Sequence, residues 1–559
     1  MSTLYINTIS PKSGNSVTIS AAIAMSSDGT SNERIGSGAG LAIASGGNQN
    51  TIVGDEAGND LTTGDDNVLI GYQAGDKTLL SGKNVVIGSG TAGAVMTAAA
   101  DGTVAIGYTA GAALTSGEKN TAVGYGALDA EDDGDGCVAI GYDALTAQTG
   151  VSGEVGNTAI GSQAADAVTT GIKNVFVGAG AGGATTDVDN SVIIGYGAGA
   201  ANMTSDADGT VAIGYTAGAA LTSGQKNIAI GHGALDAEDD GDNCVAIGYD
   251  ALTAQTGVSG LVGNTAIGAL AGDAVTTGIK NVFVGAGAGG ATTNVDNTVI
   301  IGHGAGAADM TADADGTIAI GESALAALTA GQYNTAIGSA ALAVNVVGDG
   351  NTAIGYGTLS ATVSPNNDGN NTAVGASAGS YIGTGTGNTA IGANAMLGDY
   401  TTGGGTNDID GNNNTAVGSS AGIAMITTAH SNTFVGATAG DVATTAVENT
   451  CLGFNADIQD ATATNQIVIG NNITGTADNA VHIGNDTSHI RCDFNADQTW
   501  DASSDRRQKT DITATDIGLG FINDLKPVKY RHRSPSEFPQ EWAAYNPDDT
   551  IRMGGSDKY

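Results

Sequence analysis

Two acidic segments are the first places in this chain where side chains could do chemistry. They are DAEDDGDG at Asp129–Gly136 and DAEDDGDN at Asp236–Asn243. Each contains D-x-E-x-D-G, the first half of a calcium loop, in which alternate carboxylates converge on one hard cation. The bidentate Glu that such a loop needs at position 12 is absent, because Ile140 and Ile247 stand there. DADG at Asp206–Gly209 and Asp313–Gly316 is similarly partial. The residues favour solvated acidic turns and no cofactor, with Ca2+ at these loops the alternative. His232 and His303 replace the Tyr that usually follows a recurring Gly, as at Tyr108 and Tyr196. Neither has the paired spacing of a metal site, so both read as surface substitutions. GAGAGG at Gly178–Gly183 lacks the Lys-Ser/Thr ending of a phosphate loop. Polysaccharide cleavage would need a carboxylate pair in a groove beside aromatic platforms. Both Trp, Trp500 and Trp542, lie outside the repeat that fills the chain.

That repeat must position everything else. NTAIGxxAG recurs from about Thr51 to Gly470, and its Ile/Val-Gly steps are mostly 17 residues apart. Steps of 19 or 20 fall at every third position through the middle, as from Gly88 to Gly107 and from Gly141 to Gly161. A longer period lies on top, with Thr103–Gly209 nearly repeated by Thr210–Gly316, a shift of 107. Self-similarity at fixed period marks a stacked, quasi-one-dimensional architecture. Such a stack argues for reach, display or attachment before catalysis. The 90 Gly would suggest disorder, but 41% of residues are apolar and the Ile/Val positions keep phase with Gly. A net charge of −39 repels nucleic acid and anionic membrane, so no nucleic acid is expected as a partner. The four Cys show no disulfide framework, Cys137 and Cys244 taking one position in the two long repeats, where Asn usually stands. The first residues lack the apolar stretch of a secretory signal, and no apolar run is long enough for a membrane helix.

Each coil contains one short strand. The residue before Gly is Ile or Val, and the residue three before it is Thr, Val or Ile. These two share a face, since side chains alternate along a strand. The residue between them is Ala, or Phe176, Phe283, Phe434, Ile193, Leu69 or Val86, so the opposite face is apolar too. Strands apolar on both faces belong to parallel stacks. One face fills the coil interior and the other needs neighbouring chains to cover it, which predicts an obligate homotrimer. The narrow face carrying Phe176 and Phe283 is expected at the trimer axis. Ala three residues after Gly fits a tight corner, as at Ala57, Ala74, Ala110, Ala164, Ala271 and Ala395. LTSG at Leu114–Gly117 and Leu221–Gly224 reads as an exposed return turn. The 26-residue step from Gly392 to Gly418 predicts a projecting polar loop at about Gly398–Asn413.

The NTAIGxxA repeat resembles the head repeat of YadA-like trimeric adhesins, a left-handed parallel β-roll built by three chains, which also occurs in bacteriophage tail fibres. The likeness covers most of residues 46–485, although the coil here is longer. The segment SSDRRQKTDITATDIGLGFINDLKPVKY at Ser503–Tyr530 resembles the start of the intramolecular chaperone domain of phage tail spikes and fibres, of endosialidase type (peptidase S74 family). That resemblance implies a small α/β domain that drives trimer assembly and then cuts itself off. It makes Ser504 the nucleophile, Lys509 its partner base and Ser504 the cleavage point, self-cleavage being the only enzymatic step implied. A Lys with lowered pKa can take a hydroxyl proton. The family's domain continues beyond the length represented here, so little or no cleavage is expected of the chain ending at Tyr559. The first residues, STLYINTISPKSGNSVTIS, also resemble the N-terminal segment of marine phage fibre proteins.

The expected organisation is an N-terminal attachment segment at 1–45, a β-roll shaft at 46–485, a connector at 486–503 and a partial chaperone at 504–559. The whole is an all-β, homotrimeric β-solenoid fibre of about 17 residues per coil. The expected role is host attachment by a virion tail fibre folded in the host cytoplasm. Its partners would be a tail or baseplate protein at the N-terminus and a host glycan or outer-membrane component. A bacterial trimeric adhesin or extracellular filament subunit is the alternative.

Overall fold

A strand of three residues is too short to persist by itself, and here each is held by identical neighbours above and below. The computed structural model describes residues 31–149, 151–256, 259–362, 369–398, 408–494 and 500–502. The chain divides into units Met1–Asp501 and Ala502–Tyr559, and the described architecture belongs to the first. It is a parallel β-solenoid of about 26 turns with almost no helix. Val104–Ile106 pairs in parallel with Thr121–Val123, and that strand with Val138–Ile140, each in strict register. The ladder runs from Glu33–Ile35, upstream of the expected shaft start, to Ala480–Asn485. It closes on the antiparallel strand Ser488–Asp493. At about 4.8 Å per strand, this stack is roughly 120 Å long.

The glycine after each strand is dictated by its neighbour. Gly107 has φ +140, and a Cβ there would overlap the carbonyl of Gly124 in the next coil. Gly124 bears the same relation to Gly141. Only glycine allows both that backbone and that approach. Before each strand runs a buried polar column. Asn157 Oδ1 accepts the Asn174 N–H at 2.9 Å, and Asn174 Oδ1 accepts the Ser191 N–H at 2.8 Å. Asn174 Nδ2 donates to the Val188 carbonyl at 2.5 Å. These links pair backbone N–H and C=O groups that the turn would otherwise leave buried without partners.

The core corrects the expected placement of the strand faces. The middle residues Ala105, Ala159, Phe176, Ile193 and Phe283 are fully buried within their own coil. The flanking residues point outward: Thr158 is half-buried and Ile160 is 39% exposed. Phe176 and Phe283 therefore fill the coil interior and do not lie at an intermolecular axis. The cause is the corner. The buried alanines Ala57, Ala110, Ala164 and Ala271 let the turn fold back over the middle residue, so one chain encloses its own core. Gly182 and Gly289 leave room beside the Phe176 and Phe283 rings. Leu114 and Leu221, expected on an exposed turn, are also fully buried and close the coil from the return side. Of the loop expected at about Gly398–Asn413, residues 399–407 lie outside the described residues. Its C-terminal part packs on the stack: Ile409 is buried and bridges Ile382 of the coil before. Asp410 Oδ1 accepts the Thr384 N–H at 3.0 Å, and Asn412 Oδ1 the Thr386 N–H at 2.7 Å.

Candidate functional site

The two acidic turns fold differently from a solvated loop. Glu131 and Glu238 occupy the interior column that holds Leu114 and Leu221 in the preceding coils, and both are fully buried. Glu131 Oε1 accepts the backbone N–H groups of Asp132 at 3.0 Å, Asp133 at 3.2 Å and Gly134 at 2.7 Å. Glu238 Oε1 does the same with Asp239, Asp240 and Gly241, at 3.1, 3.3 and 2.8 Å. In each case the other oxygen, Oε2, is buried without a partner. Burial raises both carboxyl pKa values, and the turn N–H groups oppose that rise. One oxygen each from Glu131, Asp132 and Asp133 lie within 4.8 Å of one another, and likewise from Glu238, Asp239 and Asp240. The calcium-loop pattern is thus not realised at its alternate positions. Asp129 instead faces Asp143 and Thr146, its carboxyl raised by burial and by Asp143. The two DADG segments act as braces: Asp208 Oδ1 accepts the Asp189 N–H, and Asp315 Oδ1 the Asp296 N–H, each at 2.7 Å.

The residue after each turn glycine builds an external aromatic ladder. Tyr108, Tyr125 and Tyr142 stack with ring centroids 5.2 and 5.4 Å apart. Tyr196, Tyr215, His232 and Tyr249 stack at 5.5, 5.0 and 5.3 Å. His232 is exposed, as expected, but not isolated: its Nδ1 lies 3.5 Å from Asp250 Oδ1. His303 is exposed. The regular Gly-Tyr spacing was the available signal for these stacks, since residues at one register position in successive coils sit a strand spacing apart.

Sequence reasoning missed two buried titratable groups near the last coils. Asp457 is nearly buried, and burial together with a hydrogen bond shared with Asp441 pushes its carboxyl up to about 7. His482 is fully buried and its Nε2 accepts the Thr476 N–H at 3.2 Å. Burial, with Arg491 and His489 nearby, pushes it down to about 4. Cys137 and Cys244 take the Asn column, where each N–H donates to the preceding Asn Oδ1 at 2.8 Å. Burial raises both thiols to about 12, and all four Cys are free. Ser504 and Lys509 lie outside the described residues.

No family model matches the chain, and no curated protein sequence matches it. The described unit offers a polar column, an aromatic ladder and two anionic niches, all repeated along the stack.

Proposed function

We propose that this chain is the shaft-forming subunit of a homotrimeric phage tail fibre serving host-cell attachment. One observation carries the reading. The outward strand face is continuous, in register and free of charge. The chain has 18 Lys/Arg and 57 Asp/Glu. None of them falls on a rung of the main ladder from Thr51–Val53 to Thr450–Leu452. Outward residues such as Ile160, Ile267 and Ile354 remain 38–40% exposed in the single chain. A long uncharged stripe of Ile, Val and Thr on an otherwise strongly acidic protein supports a surface that another chain covers. The likeness of the repeat to YadA-type heads, and of Ser503–Tyr530 to the phage chaperone, supplies three-fold assembly and the virion setting.

In this reading the N-terminal segment joins a tail or baseplate protein, and the stack presents the receptor-binding surface to a host glycan or outer-membrane component. The chaperone segment aligns three chains, and Ser504 with Lys509 then releases it where the domain is complete. Sedimentation equilibrium of the purified chain should return three copies per particle. A folded, monodisperse monomer would reject the fibre. Mass spectrometry of the product of the natural full-length gene should find a mature end at Ser504, lost in Ser504→Ala and in Lys509→Ala while trimers still form.

A further inference from the structure

We infer that Glu131–Asp132–Asp133 and Glu238–Asp239–Asp240 are two Ca2+-binding sites, one in each long repeat. The starting point is a carboxylate where the fold does not require one. The same interior column holds Leu114, Val168 and Leu221, and elsewhere the neutral Gln148 and Asn345, all buried. Asn345 braces its own return turn with an amide, accepting the Gly348 N–H at 3.1 Å and donating to the Gly348 carbonyl at 3.0 Å. A turn of this kind therefore forms without a charge. Glu131 does the bracing with Oε1 alone, which leaves Oε2 buried and unpartnered. Glu238 repeats the arrangement 107 residues later. An uncompensated oxygen of this kind destabilises the fold unless a proton, a water or a cation meets it.

The neighbouring residues favour a cation. The three carboxylates bring one oxygen each within 4.8 Å of the others, about twice a Ca–O distance of roughly 2.4 Å. Asp132 is exposed and Asp133 half-buried, so an ion can enter from solvent and keep water on its open side. Ca2+ takes 6–8 oxygens in flexible geometry, whereas Mg2+ demands near-ideal octahedral geometry at shorter distance. Asp135 and Asp242 are already engaged, their Oδ1 atoms accepting the Glu118 and Gln225 N–H groups at 2.7 and 2.8 Å. A proton on Oε2 is the competing solution, but it would leave Asp132 and Asp133 repelling each other.

The inference does not rest on the tail-fibre reading. The test is calorimetric titration of CaCl2 into the full chain after chelator treatment and desalting. Saturable binding of two ions per chain is expected. Glu131→Gln and Glu238→Gln should each remove one site, and the double variant both, while circular dichroism stays unchanged. The paired variant Asp133→Asn with Asp240→Asn leaves the turn hydrogen bonds untouched and should weaken both sites roughly 10-fold or more. It decides the matter if the Gln variants misfold. Absence of saturable binding, or unchanged binding in the Asp133→Asn/Asp240→Asn protein, overturns the assignment.

Discussion

At the scale of single residues, two columns set the tolerance of the coil. Gly178 has φ +135, with the Gly195 carbonyl where its Cβ would sit, so Gly178→Ala should cost about 3 kcal/mol. Gly180 lies two residues on at φ +63 with nothing near its Cβ position. Gln73, Thr109 and Gln163 adopt the same left-handed backbone at the equivalent position. Gly180→Ala should therefore cost only the left-handed backbone penalty, about 1–2 kcal/mol. Urea unfolding midpoints compare the two, and equal losses would contradict the role given to the carbonyl stack. In the polar column, Cys137 receives the link from Asn120 but carries no amide to pass it on. One turn later Asn157 Nδ2 donates to Gln148 Oε1 at 2.7 Å, from the column position that Glu131 holds. Cys137→Asn should thus place a donor beside the unpartnered Glu131 oxygen and stabilise the chelator-treated protein by about 1–2 kcal/mol. A lower melting point than wild type would show that the thiol packs there better than the amide. The columns themselves were legible because sterics dictate residue type at Gly107 and Ala110. The burial of Glu131 was not, because charge in an acidic run reads as solvent-facing and only the coil register places it beside Leu114.

At the scale of the element, the last coils carry two opposed titrations. Asp457 has a raised pKa, so between its ordinary value near 3.8 and about 7 the folded chain holds a proton that the unfolded chain has lost. Its contribution to stability is present at low pH and falls as pH rises through that window. His482 has a lowered pKa, so between about 4 and 6.5 the unfolded chain holds a proton that the folded one lacks. Its contribution is lost as pH falls through that window. From pH 4.5 to 6.5 the two slopes oppose each other, and the wild-type terminal coils should be nearly pH-independent. Asp457→Asn should leave stability rising with pH by about 2 kcal/mol over those two units, and His482→Gln should leave it falling by a similar amount. Hydrogen exchange in Ile467–Asn471 and Ala480–Asn485, corrected for intrinsic rates, reads both. Slopes of the same sign in the two variants would refute the pairing. Neither group was visible in the linear chain. Asp457 lies in a strand, Ala456–Asp457, that breaks the repeat motif, and its partner Asp441 belongs to the coil before.

At the scale of the whole molecule, the question is which face meets a partner. The parallel stack and its period were legible because only an in-register repeat explains Ile/Val-Gly at constant spacing. The assignment of faces was not, since Ala159 on one side and Thr158 with Ile160 on the other are all compatible with burial. The structure separates them by volume. A coil whose corner is alanine has room for one inward side chain per strand, and the pair on the opposite face has nothing over it. This predicts two different failures from equally drastic substitutions. Phe176→Asp puts a charge inside a closed coil and should remove at least about 4 kcal/mol, giving insoluble or unfolded chain. Ile160→Asp with Ile267→Asp, at equivalent positions of the two long repeats, adds charge only to the open face. That pair should keep the β-sheet circular dichroism of wild type while shifting sedimentation from three chains to one. Because stability in such a stack is a sum over neighbouring coils, two outward charges do not propagate into unfolding. If the outward pair still sediments as a trimer, the uncovered stripe is not the interface, and another external face, such as the aromatic ladder, holds the contacts between chains.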